Sequence, residues 1–590
     1  MLFLIYGAIG AILAGASSFA VNRSFVASAQ IAGFAFVVLG LAGWLLMPTL
    51  AWNFGGVWWF VIASAAIGAG LGWFTPGGKS VWATSLPFFI AIIGVVLAFV
   101  TTTPMFHAAD YRKLLGPVAE SRFTDDVSPV DLRQVRIVDS ALAHNIGQKR
   151  LGEIPGLGSR VELGAMNIQL LDGCFTIREY DGSVRELCFD DEFMWAGPLI
   201  HDGFLRWFSH DVTPGYVVVS ATDASKVYMV TSVAPTGVSA LPDGGLRLRY
   251  LRAGAYFGDD LQRHLRSNGF VSAGLTEGAF EIRDDGRPFW VVTRYAKRIG
   301  FSGEDPTGIV LVDAQTGAIE EHDIAGAPAW VDRVQPKDFV VEQLDDWGKY
   351  VRGWWNSLFS RLDVIQTTPG MSLVYGSDGR TSWYTGMQSA GADDGTVGFV
   401  LVDTRTKKVR WYRMPGAMET SAQSAAENAR GVREAGFEAT FPVLYNIGGV
   451  PTYLTTLKGD DGLVKMFGFV SAQNLMVVGV DSTIQDALRN YQNSLQQQGR
   501  TLVADDLVKQ QRLEAEVLAI ARERRGDIEY YYLILKGRED TEFYAAPELS
   551  PELKWTRVGD TVAIDFDEGK LRSVLINTFD NPRLALVMAP

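Results

Sequence analysis

Cys174 and Cys188 are the two cysteines of the 590-residue chain, and they flank a Tyr180-Asp181-Gly182 turn in the stretch GCFTIREYDGSVRELCF. A three-residue hairpin loop needs positive φ at its last position, where Gly182 falls. That loop pairs Glu179 with Ser183, and counting outward sets Phe175 opposite Leu187, Thr176 opposite Glu186 and Cys174 opposite Cys188. A two-residue loop at Asp181-Gly182 would instead oppose Arg178 to Arg185, which cross-strand energetics disfavour. Directly opposed residues lie about 4.5 to 5.5 Å apart at Cα, within disulfide range. Two reduced thiols in the same hairpin are the alternative.

The other residues able to do chemistry are scattered. His201 and His210 flank one predicted strand, yet neither has a Cys or acidic partner at metal-ligand spacing. GFSGED at Gly300 lacks the second glycine of a nucleophile elbow, and GAIGAI at Gly7 lies in an apolar run, where glycines favour helix packing over phosphate binding. The acidic pairs Asp259-Asp260, Asp345-Asp346 and Asp393-Asp394 lack the alternating acids of a calcium loop and read as helix starts and turns. No catalytic, cofactor-binding or metal-binding residue is expected, and no cofactor.

The elements that carry these residues begin with four apolar runs, at 2–20, 31–47, 57–74 and 81–100, each close to the roughly 17 to 20 residues that cross a bilayer. Arg23 and Lys79 are the charges of the first 101 residues, so the net charge of −13 arises wholly from the remainder. Pro48 and Pro76-Gly77-Gly78 punctuate the runs, predicting two helical hairpins that form a four-helix anchor over 1–101. The first run lacks a basic leader and is followed by three more, so it reads as a retained helix. Four crossings place both chain ends on one side. Arg23 and Lys79 in the short loops lean those loops toward the cytoplasm, and the large domain away from it, where a disulfide persists. The acidic remainder disfavours non-specific binding to nucleic acid or anionic lipid. The small-residue run AAIGAGLG fits homo-oligomerisation and packing within one bundle equally well.

A glycine followed four residues later by an aromatic recurs as GFLRW (Gly203, Trp207), GRPFW (Gly286, Trp290), GRTSW (Gly379, Trp383) and GVPTY (Gly449, Tyr453). Each precedes a second glycine-led strand, at Gly215, Gly308, Gly398 and Gly468. In the two nearest copies Asp313 and Asp403 start a turn by bonding backbone two residues on. Helical stretches, DDLQRHLRSN, DDWGKYVRGWWNSLFSRL and SAAENARGVREAG, precede three copies. The expected unit is one helix covering a small antiparallel sheet, and such units bury their faces by stacking. The boundaries read 161–255 for the first unit with the cysteine hairpin, 256–342 for the second, 343–420 for the third, and 421–500 for the fourth with a spacer helix, TIQDALRNYQNSLQQQGR.

The phrase LVDAQTGAI, and more weakly LVDTRTKKV, resembles PepSY-type repeats, whose signature is a strand ending in Asp followed by Thr-Gly. The Gly308 unit carries the full pattern through Ile319, the Gly398 unit has Lys407 in place of the glycine, and the Gly468 unit lacks the Asp. PAWVDRVQP, TVGFVLVDTRTK and GLVKMFGFVS also resemble uncharacterised bacterial membrane proteins with a multi-helix anchor and a long ectodomain. The resemblance implies extracytoplasmic binding or inhibitory roles and supplies no catalytic residues.

The linker at 102–160 contains SPVDLRQVRIVDSALAHNIGQKRL, predicted as a helix capped by Ser128 with Pro129 at its first position and Leu132, Val135, Val138, Leu142 and Ile146 on its apolar face. Residues 513–590 hold five short strands, the pattern of a small β-barrel of the OB or SH3-like kind. Its Tyr530, Tyr531, Tyr532 and Phe543 could stack on bases, but strand tyrosines more often pack, and acids balance the bases. The expected fold class is thus a membrane-anchored α+β chain with four transmembrane helices, PepSY-like repeats and a C-terminal barrel. The expected role is non-enzymatic: an integral membrane scaffold or binding protein with protein partners, nucleic acid disfavoured, in a bacterial inner membrane with an extracytoplasmic domain. The alternatives are a cytoplasm-facing tether whose barrel binds nucleic acid or a cytoplasmic complex, and an enzyme with a site assembled across repeats.

Overall fold

The computed structural model describes the chain apart from residues 76–79, 124–126, 128–134, 237–240, 242–243, 376–379, 392–394, 499–509, 526–527, 546, 548, 568–572 and 585–590. Three N-terminal helices are long and apolar enough to span a membrane: α1 (Leu2–Asn22), α2 (Phe25–Leu46) and α3 (Gly55–Phe74). The fourth expected run differs from the reading above. It starts as a single turn, α4 (Val81–Thr84), continues as α5 (Leu86–Thr102), and bends by 50° into α6 (Pro104–Lys113). Pro104 causes the break: the residue before a proline is pushed out of the helical region, and Thr103 sits at φ −60°, ψ 126°. This bent pair makes a fourth crossing if it counts as one span. Gly7 and Gly10 face Phe36 and Leu39 of α2, and Gly68 of α3 lies against the Ala14 backbone, so the small-residue faces are used inside the bundle. At one end of the bundle the Asn22 amide donates to Thr75 Oγ1 (2.7 Å) and the Ser80 N–H to the Val21 carbonyl (3.0 Å). Arg23 lies at that end; Lys79 is outside the described residues.

Beyond the anchor, β1 (Val118–Glu120) does not end in a plain linker; it pairs in parallel with a strand of the third sheet. The linker helix is shorter than expected. Its described part, α7 (Ser140–Gly152), is capped by Asp139, whose carboxylate accepts the Leu142 N–H at 2.8 Å. Val135 and Val138 are buried but precede the helix, and Ser128, Pro129 and Leu132 lie outside the described residues. The shortening follows from Asp139 competing for backbone N–H groups that a longer helix would need.

Four sheets follow, antiparallel apart from the β1 pairing. The first holds β2 (Val161–Leu163), β3 (Asn167–Glu179), β4 (Val184–His201), β5 (Tyr216–Ser220) and β6 (Val227–Pro235), with α8 (Phe204–Ser209) inserted after β4. Its β3 to β6 form a meander that closes on itself through a β3–β6 pairing. After α9 (Leu261–Ser267) the second holds β7 (Gly274–Leu275), β8 (Ala279–Ile282), β9 (Pro288–Ile299), β10 (Ser302–Asp313) and β11 (Ile319–His322). Next come α10 (Lys337–Lys349) and α11 (Gly353–Leu358), where one long helix was expected. The break falls at Gly353, held at φ +80°. The third sheet contains β12 (Ile365–Thr367), β13 (Ser372–Tyr375), β14 (Thr381–Ser389), β15 (Gly395–Asp403), β16 (Val409–Tyr412) and β17 (Gly416–Ala417), with β1 on the β16 edge. Two helices, α12 (Glu419–Glu427) and α13 (Val432–Ala435), lead into the fourth: β18 (Glu438–Ala439), β19 (Val443–Ile447), β20 (Val450–Lys458), β21 (Val464–Ser471) and β22 (Val478–Asp481). The expected spacer, α14 (Ile484–Gln497), instead buries Ala487, Leu488, Tyr491 and Leu495, and at Gly479 a side chain would collide with the Tyr491 backbone. The central strands are buried on both faces: on β5, Val217 and Val219 enter one apolar core and Tyr216 and Val218 another.

The C-terminal residues from Arg500, with two short segments, form a second compact unit. Its strands are β23 (Gln510–Arg525), β24 (Ile528–Leu535), β25 (Arg538–Ala545), β26 (Thr561–Asp567) and β27 (Ser573–Asp580). They pair in a ring, β23-β24-β25-β27-β26, that β26 closes back onto β23, and β25 and β27 run parallel. Val517, Leu533, Phe543, Ile564 and Phe566 fill it.

Candidate functional site

The cysteine hairpin follows the three-residue register. Glu179 N–H bonds the Ser183 carbonyl, Gly182 sits at φ +86°, and Cys174 pairs with Cys188 in a disulfide with Cα atoms 4.1 Å apart. Asp181 Oδ1 accepts both the Ser183 N–H and hydroxyl, at 2.9 and 2.6 Å, which fixes the turn.

The repeat has a sharper definition than glycine-to-aromatic spacing. In each unit the segment ahead of the covering helix gives one or two backbone N–H groups to one carbonyl just past the second long strand, and its own carbonyl accepts a hydrogen bond from an aromatic side chain. In the first, Ile137 and Val138 donate to Ala221 O (2.8 and 3.0 Å) and Val138 O accepts Trp195 Nε1 (2.8 Å). In the second, Arg249 and Tyr250 donate to Ala314 O (2.9 and 3.0 Å) and Tyr250 O accepts Trp290 Nε1 (2.8 Å). In the third, Val334 and Gln335 donate to Thr404 O (3.1 and 2.7 Å) and Gln335 O accepts Trp383 Nε1 (2.8 Å). In the fourth, Ala417 donates to Ala472 O (2.7 Å) and Ala417 O accepts the Tyr453 hydroxyl (3.1 Å). A buried indole N–H needs such a partner, so the lock satisfies both sides.

Trp195 is therefore the first unit's counterpart, and Gly203 and Trp207 are not. Gly203 caps α8 at φ +83°, and Trp207 within α8 donates to Asp259 Oδ2 at 3.2 Å. Gly286 turns at φ +81° between β8 and β9, pressed against the Phe175 ring, and Gly449 turns at φ +83° between β19 and β20. Gly379 lies outside the described residues. Asp313 and Asp403 form the expected turns: Asp313 Oδ1 accepts the N–H groups of Gln315 and Thr316 (2.8 and 2.9 Å), and Asp403 Oδ1 those of Arg405 and Thr406 (3.0 and 2.6 Å). Ser220 and Ser471 do the same with their hydroxyls. Lys407, standing where the second unit has Gly317, also takes positive φ (+60°); its Nζ reaches Asp305 (2.6 Å) and the Leu114 carbonyl (2.9 Å).

Of the histidines, His201 is buried at the end of β4 with its Nε2 unpartnered. Burial and then His210 hold it below the usual imidazole range, against the pull of Asp259 and Asp211. Asp259 is already engaged by Arg249 at 2.8 Å. Among the described residues no three His, Cys, Asp or Glu side chains are grouped to hold a metal.

The most perturbed carboxyls were invisible in the sequence. Glu281 of β8 and Asp332, from the segment ahead of α10, are both buried; the Asp332 N–H donates to Glu281 Oε2 (3.3 Å), and Asp332 Oδ2 accepts the Leu170 N–H of β3 (2.5 Å). Arg333 donates to the Ile168 carbonyl (2.7 Å) and lies over the Trp383 ring, while Arg405 reaches the carbonyls of Ala327, Pro328, Ala329 and Val331. The cluster ties the first three units together. Burial is the main force raising both carboxyls, and the nearby arginines oppose it.

The remaining candidate is the junction of the anchor and the large domain. The β9–β10 tip, turned by Gly300 at φ +53°, enters between the α2–α3 loop and the end of α5. Phe301 N–H donates to Thr102 Oγ1 (2.9 Å), Leu50 N–H to the Val271 carbonyl (2.8 Å), and the Asn53 amide to the Lys297 carbonyl (3.3 Å). Buried Arg266 reaches Thr49 Oγ1 at 2.9 Å, and Trp52 meets Phe301 edge-on. A cleft of about 580 Å³ at the α5–α6 bend is lined by Val95, Ala98 and Phe99 together with Tyr111, Ser302, Glu342 and Asp346. Burial, then Glu342, pushes the Asp346 carboxyl up to about 7. A second cleft of about 480 Å³ is lined by Arg112, Lys113 and Arg352 with Trp347 and Tyr350. These groups can hold polar and charged heads beside an apolar wall, and the residues lining them include no nucleophile paired with a base.

No family model, no curated protein and no solved structure matches the chain. The PepSY-type resemblance therefore rests on the quoted residues alone.

Proposed function

We propose that this chain is a non-enzymatic, membrane-anchored scaffold or binding protein that presents its repeat array outside the cytoplasm for assembly with protein partners. The observation that carries it is the coupling of anchor and array: one tip joins the second unit to the spanning helices, and the same lock recurs through all four units. Such an array offers a fixed surface, as stacked repeats do. The disulfide supports the extracytoplasmic placement, because such bonds persist in oxidising compartments. Helix-then-sheet units with Asp turns are in keeping with PepSY-like modules, which the resemblance links to binding.

The ring of the C-terminal unit, with its parallel β25–β27 pair, is in keeping with a small barrel of the OB or SH3-like kind. Tyr531, Tyr532 and Phe543 are buried, and Tyr532 stacks on Tyr544. We read it as a protein-contact or structural module in preference to a nucleic-acid platform.

The test treats spheroplasts with protease, follows a C-terminal tag, and alkylates thiols before and after reduction. A cleaved tag with cysteines that react only after reduction supports the proposal. A protected tag with freely reacting cysteines overturns it in favour of a cytoplasm-facing tether.

A further inference from the structure

Two short helices expose apolar surface that no part of the described chain covers. On α8, Leu205 and Phe208 are 76% and 73% exposed; on and just after α11, Trp355 and Phe359 are 60% and 74% exposed. Contiguous surface of this kind marks an interaction site, and here its position identifies the occupant. The α8 patch runs into the anchor: Trp44, in the last turn of α2, stacks on Phe257 (6.0 Å, 16°), which in turn meets Phe204 and Trp207. The α11 patch does so through α5 and α6. Phe99 near the end of α5 meets Phe106 of α6 (6.2 Å), α6 meets the end of α10 through Tyr111 and Tyr350 (6.1 Å), and Trp354 at the start of α11 packs on that cluster.

Both patches are thus continuous with the ends of spanning helices, at the level where aromatic side chains concentrate in membrane proteins. Charge complements this. The cleft lined by Arg112, Lys113 and Arg352 opens beside α11, set to meet phosphate where the aromatic side chains meet acyl chain. Arg112 spends one nitrogen on the Val351 carbonyl and Arg352 pairs with Asp363; Lys113 completes the basic lining.

We propose that α8 and α11 are seated in the lipid–water interface of the anchor's own membrane, one joined to the end of α2 and the other to the end of α5. The ectodomain then rests on the bilayer at two separate points beyond its covalent connection. This rests on the integral-membrane character of the chain and is independent of which side the ectodomain faces.

The experiment uses the full chain in lipid nanodiscs, with Leu205→Cys, Phe359→Cys or Met476→Cys labelled by an environment-sensitive fluorophore. The native cysteines are locked in their disulfide, and Met476, 80% exposed beside the fourth sheet, serves as the water-exposed control. Expected are a blue-shifted emission and several-fold stronger quenching by lipids spin-labelled near the headgroup at positions 205 and 359 than at 476. If either position behaves like 476, the two-point seating is overturned.

Discussion

Replacing Gly300 with alanine should loosen the large domain from its anchor while leaving the far sheets intact. A Cβ at this position would meet Thr101 Oγ1, Thr102 Oγ1 and the Thr101 carbonyl, the last at 2.6 Å, and the residue sits at φ +53°. The left-handed conformation costs an L-residue about 1 to 2 kcal/mol. Overpacking of a closed contact adds about 1 to 3 kcal/mol. Pushing the tip away breaks the hydrogen bond from Phe301 N–H to Thr102 Oγ1, worth about 1 kcal/mol. The three together come to about 3 to 6 kcal/mol at the junction. Since about 1.4 kcal/mol is a factor of ten, the Phe301 amide should exchange with deuterium at least about 100-fold faster in the variant. Mass-spectrometric exchange in nanodiscs, comparing peptides across β9–β10 with peptides across β20–β21, reads this directly. An acceleration below about tenfold at the tip would refute the reasoning. So would an equal acceleration in the fourth sheet, which would mean global rather than junctional loosening.

Serine at both Cys174 and Cys188 removes a cross-link with a sequence separation of 14 and should lower the stability of the first sheet by about 3 kcal/mol, measured by exchange in β3 and β4. Glu281 carries a pH signature. Burial keeps the folded form protonated where the unfolded form has ionised, so stability is full at acid pH and falls as pH rises from the ordinary carboxylate range toward neutrality. The fall is up to about 1.4 kcal/mol per pH unit for each proton retained, and Glu281→Gln should flatten it in denaturation at successive pH values; an unchanged slope would exclude Glu281 as its source. Trp195→Phe keeps an aromatic but smaller side chain and leaves the Val138 carbonyl unpaired, with an expected loss of about 1 to 3 kcal/mol, whereas Trp207→Phe should cost less because its partner Asp259 keeps Arg249. Thermal denaturation of the two variants side by side checks the assignment of the repeat.

The apolar runs, the cysteine register and the Asp turns were legible because each is set by local rules: length against bilayer thickness, side-chain alternation, and the reach of an Asp carboxylate. The bend at Thr103 was also local, and Pro104 announced it. The first repeat was misplaced because a glycine four residues before an aromatic occurs by chance in GFLRW, where it starts a helix. The better signal was the strand ending: VVVSA, VLVDA, VLVDT and GFVSA place a Ser or Asp and then a small residue at the lock carbonyl in all four units. Anchoring on it would have led upstream to Trp195. Glu281 and Asp332 gave no signal, since their burial depends on residues from three units meeting in space. The aromatic patches of α8 and α11 were quoted as helix or turn, but their exposure belongs to the packing.

The parallel pairing of β1 with β16 has a consequence for biogenesis. Val118 leaves the ribosome soon after the anchor, but its partner Val409 does not exist until three units have been made. At about 5–20 residues per second the wait is roughly 15 to 60 s, during which β1 is an unpaired edge beside the membrane. The third sheet is therefore a closure with high contact order, and slow to form. Nascent chains halted before residue 409 should display a protease-sensitive stretch around 118 that disappears once β16 has emerged.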